Sequence, residues 1–336
     1  MKKTLAILLA AVMLLGILSA CGQTADTVET ESPSEAPMET DGTVSEAPSA
    51  WVPTGNVEII TPGTPGGDQD LAARQYAEYL SDYWGVNVVV TNISGDAAAM
   101  LTIHDAEPDG NTILYHTDAF LLNVAQNAVD FGMDDVQVAA VTAQLDGQVL
   151  VARSELGWTS LDDLKAACDA EPDKYIVSIA YSKTTQIMGE MLVDAGIQCR
   201  LADSDGGSDR IAKLLGDFVD AAFLTYDAAK DYIDSGEFTA LAIVQDERSA
   251  VCPDVPTAVE QGYDVVFPTT HFTVLPKDTP AEVVEGRQTA LAAVNEEPDF
   301  GTQMSETVLG LVAKYESGED AMPYLNSILE YAQNMG

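Results

Sequence analysis

The sequence predicts an α/β protein of two lobes with largely parallel sheets, and three observations carry that expectation. Short β-rich runs alternate with amphipathic helical patterns along the chain, as they do when parallel strands are joined by helical crossovers. The part with apolar residues to bury spans roughly 280 residues, at the size where a single core stops growing. The first strand runs straight into a Gly- and Pro-rich loop ahead of a helix, the place where such sheets hold ligands.

Taken in order, the chain begins with Lys2 and Lys3, an apolar run from Leu5 to Leu18, and the small residues Ser19 and Ala20. That is the layout of an export signal over residues 1–20. The run is shorter than the roughly 20 apolar residues of a spanning helix. Leu18-Ser19-Ala20-Cys21 resembles a bacterial lipobox, which makes Cys21 the acylated first residue of the mature chain. Its lipid would hold the protein to the outer face of the cell membrane, at about 0.8 kcal/mol per buried methylene. Residues 21–53 are rich in Thr, Ser, Pro, Ala and Glu, with seven acids and no base. With almost nothing apolar to bury and charges of one sign, they are expected to form an extended, disordered tether.

Strands are expected at 57–60, 86–91, 112–116, 136–142, 148–153, 175–180, 199–202, 221–226 and 238–244, each a short run rich in β-branched or aromatic residues. Between them, Ala73, Tyr76, Ala77, Leu80 and Trp84 share one helix face. Ile187, Met188, Met191, Leu192 and Ala195 share another, as do Ile211, Leu214 and Leu215. Pro280 opens a helix carrying Val283, Val284, Leu291 and Val294, and Leu325, Ile328, Leu329 and Ala332 mark the last one. No solenoid-type repeat is present.

The formal net charge is −39, from 15 bases and 54 acids, and it falls by two more when Lys2 and Lys3 leave with the leader. Such a chain is a poor partner for nucleic acid, where phosphates call for clustered Lys and Arg. With Cys21 assigned to lipid, Cys168, Cys199 and Cys252 remain. They can form at most one internal disulfide, and free thiols fit equally well. The three histidines, His104, His116 and His271, stand in no short metal-ligand spacing, and no G-x-S-x-G turn occurs. An exported enzyme is therefore a weak rival, and neither a metal nor a cofactor is expected.

The loop from Thr61 to Asp70 reads TPGTPGGDQD. Its glycines let backbone approach a ligand, and the free N–H groups of the following helix, expected to start near Leu71, favour an anion. It lacks the Lys of a P-loop and the spacing of G-x-G-x-x-G, so a nucleotide site is excluded. A plain turn with Asp68 or Asp70 as helix cap is the structural alternative.

The same loop resembles the P-x-x-P-G-G-x-x-D motif of the substrate-binding proteins of tripartite tricarboxylate transporters, the Bug family. The likeness continues in order along the chain. Thr91-Asn92 with Gly95 and Pro108-Asp109-Gly110 with Thr112 match the family's loops, as do Gly216 with Asp220, Glu247-Arg248, and Pro253-Asp254-Val255-Pro256-Thr257 with Gly262. Pro276, Thr279, Pro280 and Val283 complete the series.

The resemblance implies a type II periplasmic-binding-protein fold, in which two α/β lobes close on a ligand. Lobe one would comprise residues 54–153 plus 246–336 and lobe two residues 154–245. It implies a small organic acid, a carboxylate or an amino acid, as ligand, two integral membrane transporter subunits as partners, and a monomer. Ligand contacts would come from Gly63, Thr64, Gly66 and Gly67, with Asp70 bracing the loop or capping the helix, and with Thr117 at a strand end. In lobe two the family's G-x-G-S turn falls on Ala180, Tyr181, Ser182 and Lys183, followed by Thr184 and Thr185, with both glycines lost. The family's Y-x-G stretch falls on Ser204-Asp205-Gly206-Gly207, with a polar residue in place of the aromatic; it is either a helix-capping loop or a site where Asp205, with Asp68, contacts an ammonium group. His271 lies where the family often has Trp. A ligand-sensing lipoprotein acting through a membrane receptor would share the same cleft and is the other reading left open.

Overall fold

Why the strand and helix signals alternate is plain in the computed structural model, which describes residues 51–146, 148–308 and 310–335. The leader, Cys21 and nearly all of the tether lie outside the described residues. In lobe one, β1 (Val57–Thr61), α1 (Asp68–Trp84), β2 (Val88–Asn92), α2 (Asp96–His104), β3 (Thr112–Thr117), α3 (Ala119–Ala125) and β4 (Val136–Leu145) follow one another. Lobe two contains β5 (Gln148–Arg153), α4 (Leu161–Ala170), β6 (Ile176–Ile179), α5 (Thr184–Asp194), β7 (Arg200–Asp203), α6 (Gly207–Leu215), β8 (Ala221–Thr225), α7 (Tyr226–Ser235) and β9 (Phe238–Ile243). The chain then returns with β10 (Thr269–Pro276), α8 (Ala281–Glu296), α9 (Phe300–Thr307), β11 (Leu311–Ser317) and α10 (Gly318–Asn334).

The six-stranded sheet has the order β11-β4-β10-β3-β1-β2 and the five-stranded sheet β7-β6-β8-β5-β9. Each has three parallel strands running in from one edge, β2-β1-β3 in one and β7-β6-β8 in the other. The expectation of largely parallel sheets needs correction: β4, β5, β9, β10 and β11 pair antiparallel. Strands that carry the chain out of a lobe or back into it run against the crossover units, and no helix is needed between them.

The crossings also fall elsewhere than the sequence suggests. β5 begins at Gln148 and pairs wholly within the five-stranded sheet, so the chain has left lobe one by then, ahead of Arg153. On the way back it stays on lobe two well past Asp246. Ala258 N–H donates to Ile243 O at 2.9 Å and Phe267 N–H to Val244 O at 2.8 Å, and only then does β10 join the first sheet. The apolar side chains of Val265 and Phe267, both fully buried, hold that return segment down.

One face of the first sheet packs under α1, α8 and α9, where Tyr76, Leu80, Leu291 and Phe300 are all at most 1% exposed. Burying such a side chain contributes about 1.5–3 kcal/mol. The opposite face belongs to an apolar cluster that continues into lobe two, taking in Phe120 and Leu121 of α3, Leu325 of α10 and Ile187 and Met188 of α5. Cys168, Cys199 and Cys252 are free thiols, and burial pushes Cys199 up to about 12. No helix among the described residues is long and apolar enough to cross a membrane.

Candidate functional site

Helix starts at the carboxyl ends of parallel strands meet between the lobes. From lobe one, the β1–α1 loop brings Gly63, Thr64, Asp68 and Gln69 to a cleft of about 380 Å³. From lobe two, the β6–α5 turn brings Ala180, Lys183, Thr184 and Thr185, and the β7–α6 turn brings Asp205, Gly206, Gly207 and Arg210. Thr225 at the start of α7 and Gln148 at the start of β5 close the remaining sides. Four helix N-termini thus border one space, and their unpaired N–H groups make it favourable for negative charge.

The β1–α1 loop is built by Asp70. Its carboxylate accepts from Gly66 N–H at 2.8 Å and from Arg74 Nε at 3.0 Å, while Asn92 Nδ2 donates to Gly63 O at 2.8 Å. Burial pushes the Asp70 carboxyl up, but the hydrogen bonds from Arg74, Gly66 and Asn92 outweigh it and hold the group below its ordinary value. Asp70 therefore shapes the loop from behind, at 2% exposure, and α1 begins at Asp68, earlier than the expected Leu71. Gly66 takes a left-handed φ of 81° and spends its N–H on Asp70, and Gly67 N–H donates to Thr64 O at 2.8 Å. Both glycines serve the turn, and neither borders the cleft.

In lobe two the missing glycines leave a visible trace. Ser182 stands at the second glycine position and adopts φ 57°, a left-handed conformation that costs an L-residue about 1–2 kcal/mol. Three contacts offset that strain: its N–H donates to Gln186 Oε1 at 2.8 Å, its Oγ to Gln126 Oε1 at 2.5 Å, and Asn123 Nδ2 donates to its carbonyl at 3.3 Å. Asn123 and Gln126 belong to lobe one, so this turn also fastens the lobes together. Lys183 does the same. It borders the cleft, but its ammonium is turned onto Asp96 at the start of α2, and Asp96 also lies 3.4 Å from His116 Nε2.

The other candidates read from the sequence separate into two groups. Gly63, Thr64, Lys183, Thr184, Thr185 and Asp205 meet at the cleft. Thr185 also accepts from Ala180 N–H at 2.9 Å, closing the turn. Tyr181 instead projects to solvent at 52% exposure while its N–H is held by Asp203. Thr117 and His271 are buried in lobe one, where β3 and β10 pair, and His271 Nδ1 sits 3.1 Å from the Tyr115 hydroxyl. At 3% and 0% exposure both are covered by the packed core, and neither borders the cleft.

Arg210 and Gln148 are cleft residues that motif reading missed. Arg210 lies one turn into α6, its side chain reaching back over Gly207 toward the helix start. Among the described residues no carboxylate lies within ion-pair distance of it, and its buried Nε has no hydrogen-bond partner. Burial pushes the guanidinium down to about 10, with Asp209 opposing the shift. Gln148 is 6% exposed, and among the described residues its Oε1 has no partner either. Buried polar atoms are rarely left so, and both residues border the same cleft. The available signal for Arg210 was a base one turn beyond Gly206-Gly207 in a chain with only 15 Lys and Arg.

Two α/β lobes of like strand order, joined by crossing segments and meeting at helix starts around a polar cleft, define a two-lobed solute-binding protein of the type II periplasmic class. Residues 72–326 match the family described as "Tripartite tricarboxylate transporter family receptor". The chain belongs to that family, one of solute receptors and not of enzymes. It is similar to Protein BugT of Bordetella pertussis, 30% identical over 240 residues that cover 69% of this chain and 74% of the relative. MatC from Rhodopseudomonas palustris, solved with bound malate, superposes with a TM-score of 0.71 at 19% identity, covering 84% of this chain and 99% of MatC. An R. palustris protein solved with adipate superposes with a TM-score of 0.69 at 22% identity, covering 83% and 95%.

Proposed function

We propose that this protein captures a small organic acid in the interlobe cleft, outside the cell, and presents it to the membrane subunits of a tripartite tricarboxylate-type transporter. Arg210 carries the reading: a half-buried cation with no carboxylate partner among the described residues, set where four helix starts converge on a cavity of about 380 Å³. A ligand carboxylate supplies the missing partner, and charge-assisted hydrogen bonds of this kind are about twice as strong as neutral ones. The malate and adipate held by fold relatives support the ligand class. Contacts from Gly63 and Thr64 on one side and Thr184, Thr185 and Arg210 on the other make the bound acid a bridge, so its affinity is higher for the closed state. On this reading the leader exports the protein and Cys21 carries the lipid that tethers it to the outer face of the membrane, where it acts as a monomer.

The test is a thermal melt of the purified protein against di- and tricarboxylates, aromatic acids and amino acids. A ligand at about a hundred times its dissociation constant adds about 2.7 kcal/mol to stability. A panel in which no carboxylate raises the melting temperature rejects the proposal. Anchoring has its own readout: labelled fatty acid enters the wild-type chain and not Cys21→Ser.

A further inference from the structure

The cleft holds more unpaired negative charge than positive. Lys183 is neutralised by Asp96, and Lys213, next to the β7–α6 turn, by Asp209 at 2.8 Å. That leaves Arg210 as the one cation bordering the cleft that lacks an ion pair among the described residues. Two carboxylates border the same space, Asp68 from lobe one and Asp205 from the turn that leads into the helix carrying Arg210. Neither has an ion-pair partner among the described residues; Asp68 accepts from Gln69 N–H at 2.9 Å, and the Asp205 N–H is held by Asp209.

The uncharged groups point the same way. Gln148, more than nine-tenths buried, and Gln69 both line the cleft, and among the described residues neither side-chain oxygen has a hydrogen-bond donor. A dicarboxylate without a hydroxyl, such as adipate, has no donor to give them. It would place one carboxylate on Arg210 and the other among Asp68, Asp205 and two amide oxygens, where like charges and acceptors repel it. An ammonium group brings three donors and a positive charge to that same place.

We propose that the cleft selects a small molecule carrying one carboxylate and one protonated amine, with Arg210 taking the carboxylate and Asp68, Asp205 and Gln148 surrounding the amine. This rests on the reading of the cleft as a carboxylate-capturing site. The two unpaired aspartates are then the specificity device, because they reject the second carboxylate as well as attract the amine.

The experiment is isothermal titration of the purified protein with matched pairs: 4-aminobutanoate against glutarate, 6-aminohexanoate against pimelate, and alanine, proline and lysine against malate and adipate. At least one amino acid should bind ten times or more tighter than any dicarboxylate. Arg210→Gln should abolish binding of every probe, while Arg210→Lys keeps part of it. Asp68→Asn combined with Asp205→Asn should weaken the amino acid at least tenfold and strengthen its matched dicarboxylate. A wild-type protein that binds dicarboxylates as well as or better than amino acids overturns this inference and leaves the broader proposal standing. If no carboxylate of either kind binds, the broader proposal falls too. Unchanged binding in Arg210→Gln, with an unchanged melting temperature, overturns the role given to that residue.

Discussion

Replacing Lys183 by Ala removes an ion pair that spans the two lobes and exposes how closure is held. The Lys183 side chain is 45% exposed and that of Asp96 10%, so solvent screens one partner far more than the other. Pairs exposed on the surface contribute about 0.2–1 kcal/mol, and the recessed Asp96 places this one at the upper end, about 1 kcal/mol. That corresponds to a shift of about fivefold from closed toward open forms. Closure should be weakened and not lost. The Ser182–Gln126, Asn123–Ser182 and Gln126–Gln186 hydrogen bonds lie along the same seam and survive the substitution. Small-angle scattering of the ligand-free protein should report a larger radius of gyration for Lys183→Ala. A double-mutant cycle with Asp96→Asn, read by ligand titration, should give a coupling energy near 1 kcal/mol. Two outcomes refute the reasoning. Additive single variants would mean that the pair does not act as a unit. A loss of a hundredfold or more in Lys183→Ala with Asp96→Asn unaffected would make Lys183 a direct ligand contact.

Three further outcomes follow from buried charge. Burial holds His116 and His271 down to about 4. Both are therefore neutral in the folded chain while the unfolded chain takes up protons from about pH 6.5 downward. Their contribution to stability is intact above that pH and is lost as pH falls toward 4. Melting temperature against pH should drop over this window, and less steeply in His271→Asn; an equal slope in the two proteins would contradict the assignment. Asp118 shows the opposite sign, since burial raises its carboxyl to about 8 although the Thr270 N–H, 2.6 Å away, works against the shift. The unfolded chain ionises first, so Asp118 costs stability as pH rises from about 4 to 8, and Asp118→Asn should raise the melting temperature more at pH 8 than at pH 4. Finally, Arg287 is fully buried between the rings of Trp51 and Trp84, 4.7 and 4.3 Å from their centroids. Gly286 has no room for a side chain because the Trp51 carbonyl lies over it. Trp51→Ala opens that slot and should lower stability by about 2–4 kcal/mol in urea unfolding, and an unchanged midpoint would show that Trp51 does not brace lobe one.

Much of this protein was legible before its coordinates. Each expected strand from the first to the ninth overlaps one that forms, because β-branched runs flanked by helix-period patterns state their own secondary structure locally. The β1–α1 loop was equally clear, since the tight turn that carries Gly63 and Thr64 to the cleft needs the left-handed Gly66 that its motif spells. β10 escaped detection for a physical reason. It lies between β3 and β4, buried at every position, yet it reads TTHFTVLP, and its Thr and His residues look like a loop until strands on both sides satisfy them. The role of Lys183 was hidden in the same way: one residue's number does not tell that Asp96, 87 positions earlier, waits across the seam. Local pattern determined which elements form and which turns come near a ligand. Only the packed lobes decided which charges neutralise one another, leaving Arg210, Asp68 and Asp205 to face the cleft, because charge pairing depends on distances that chain order does not carry.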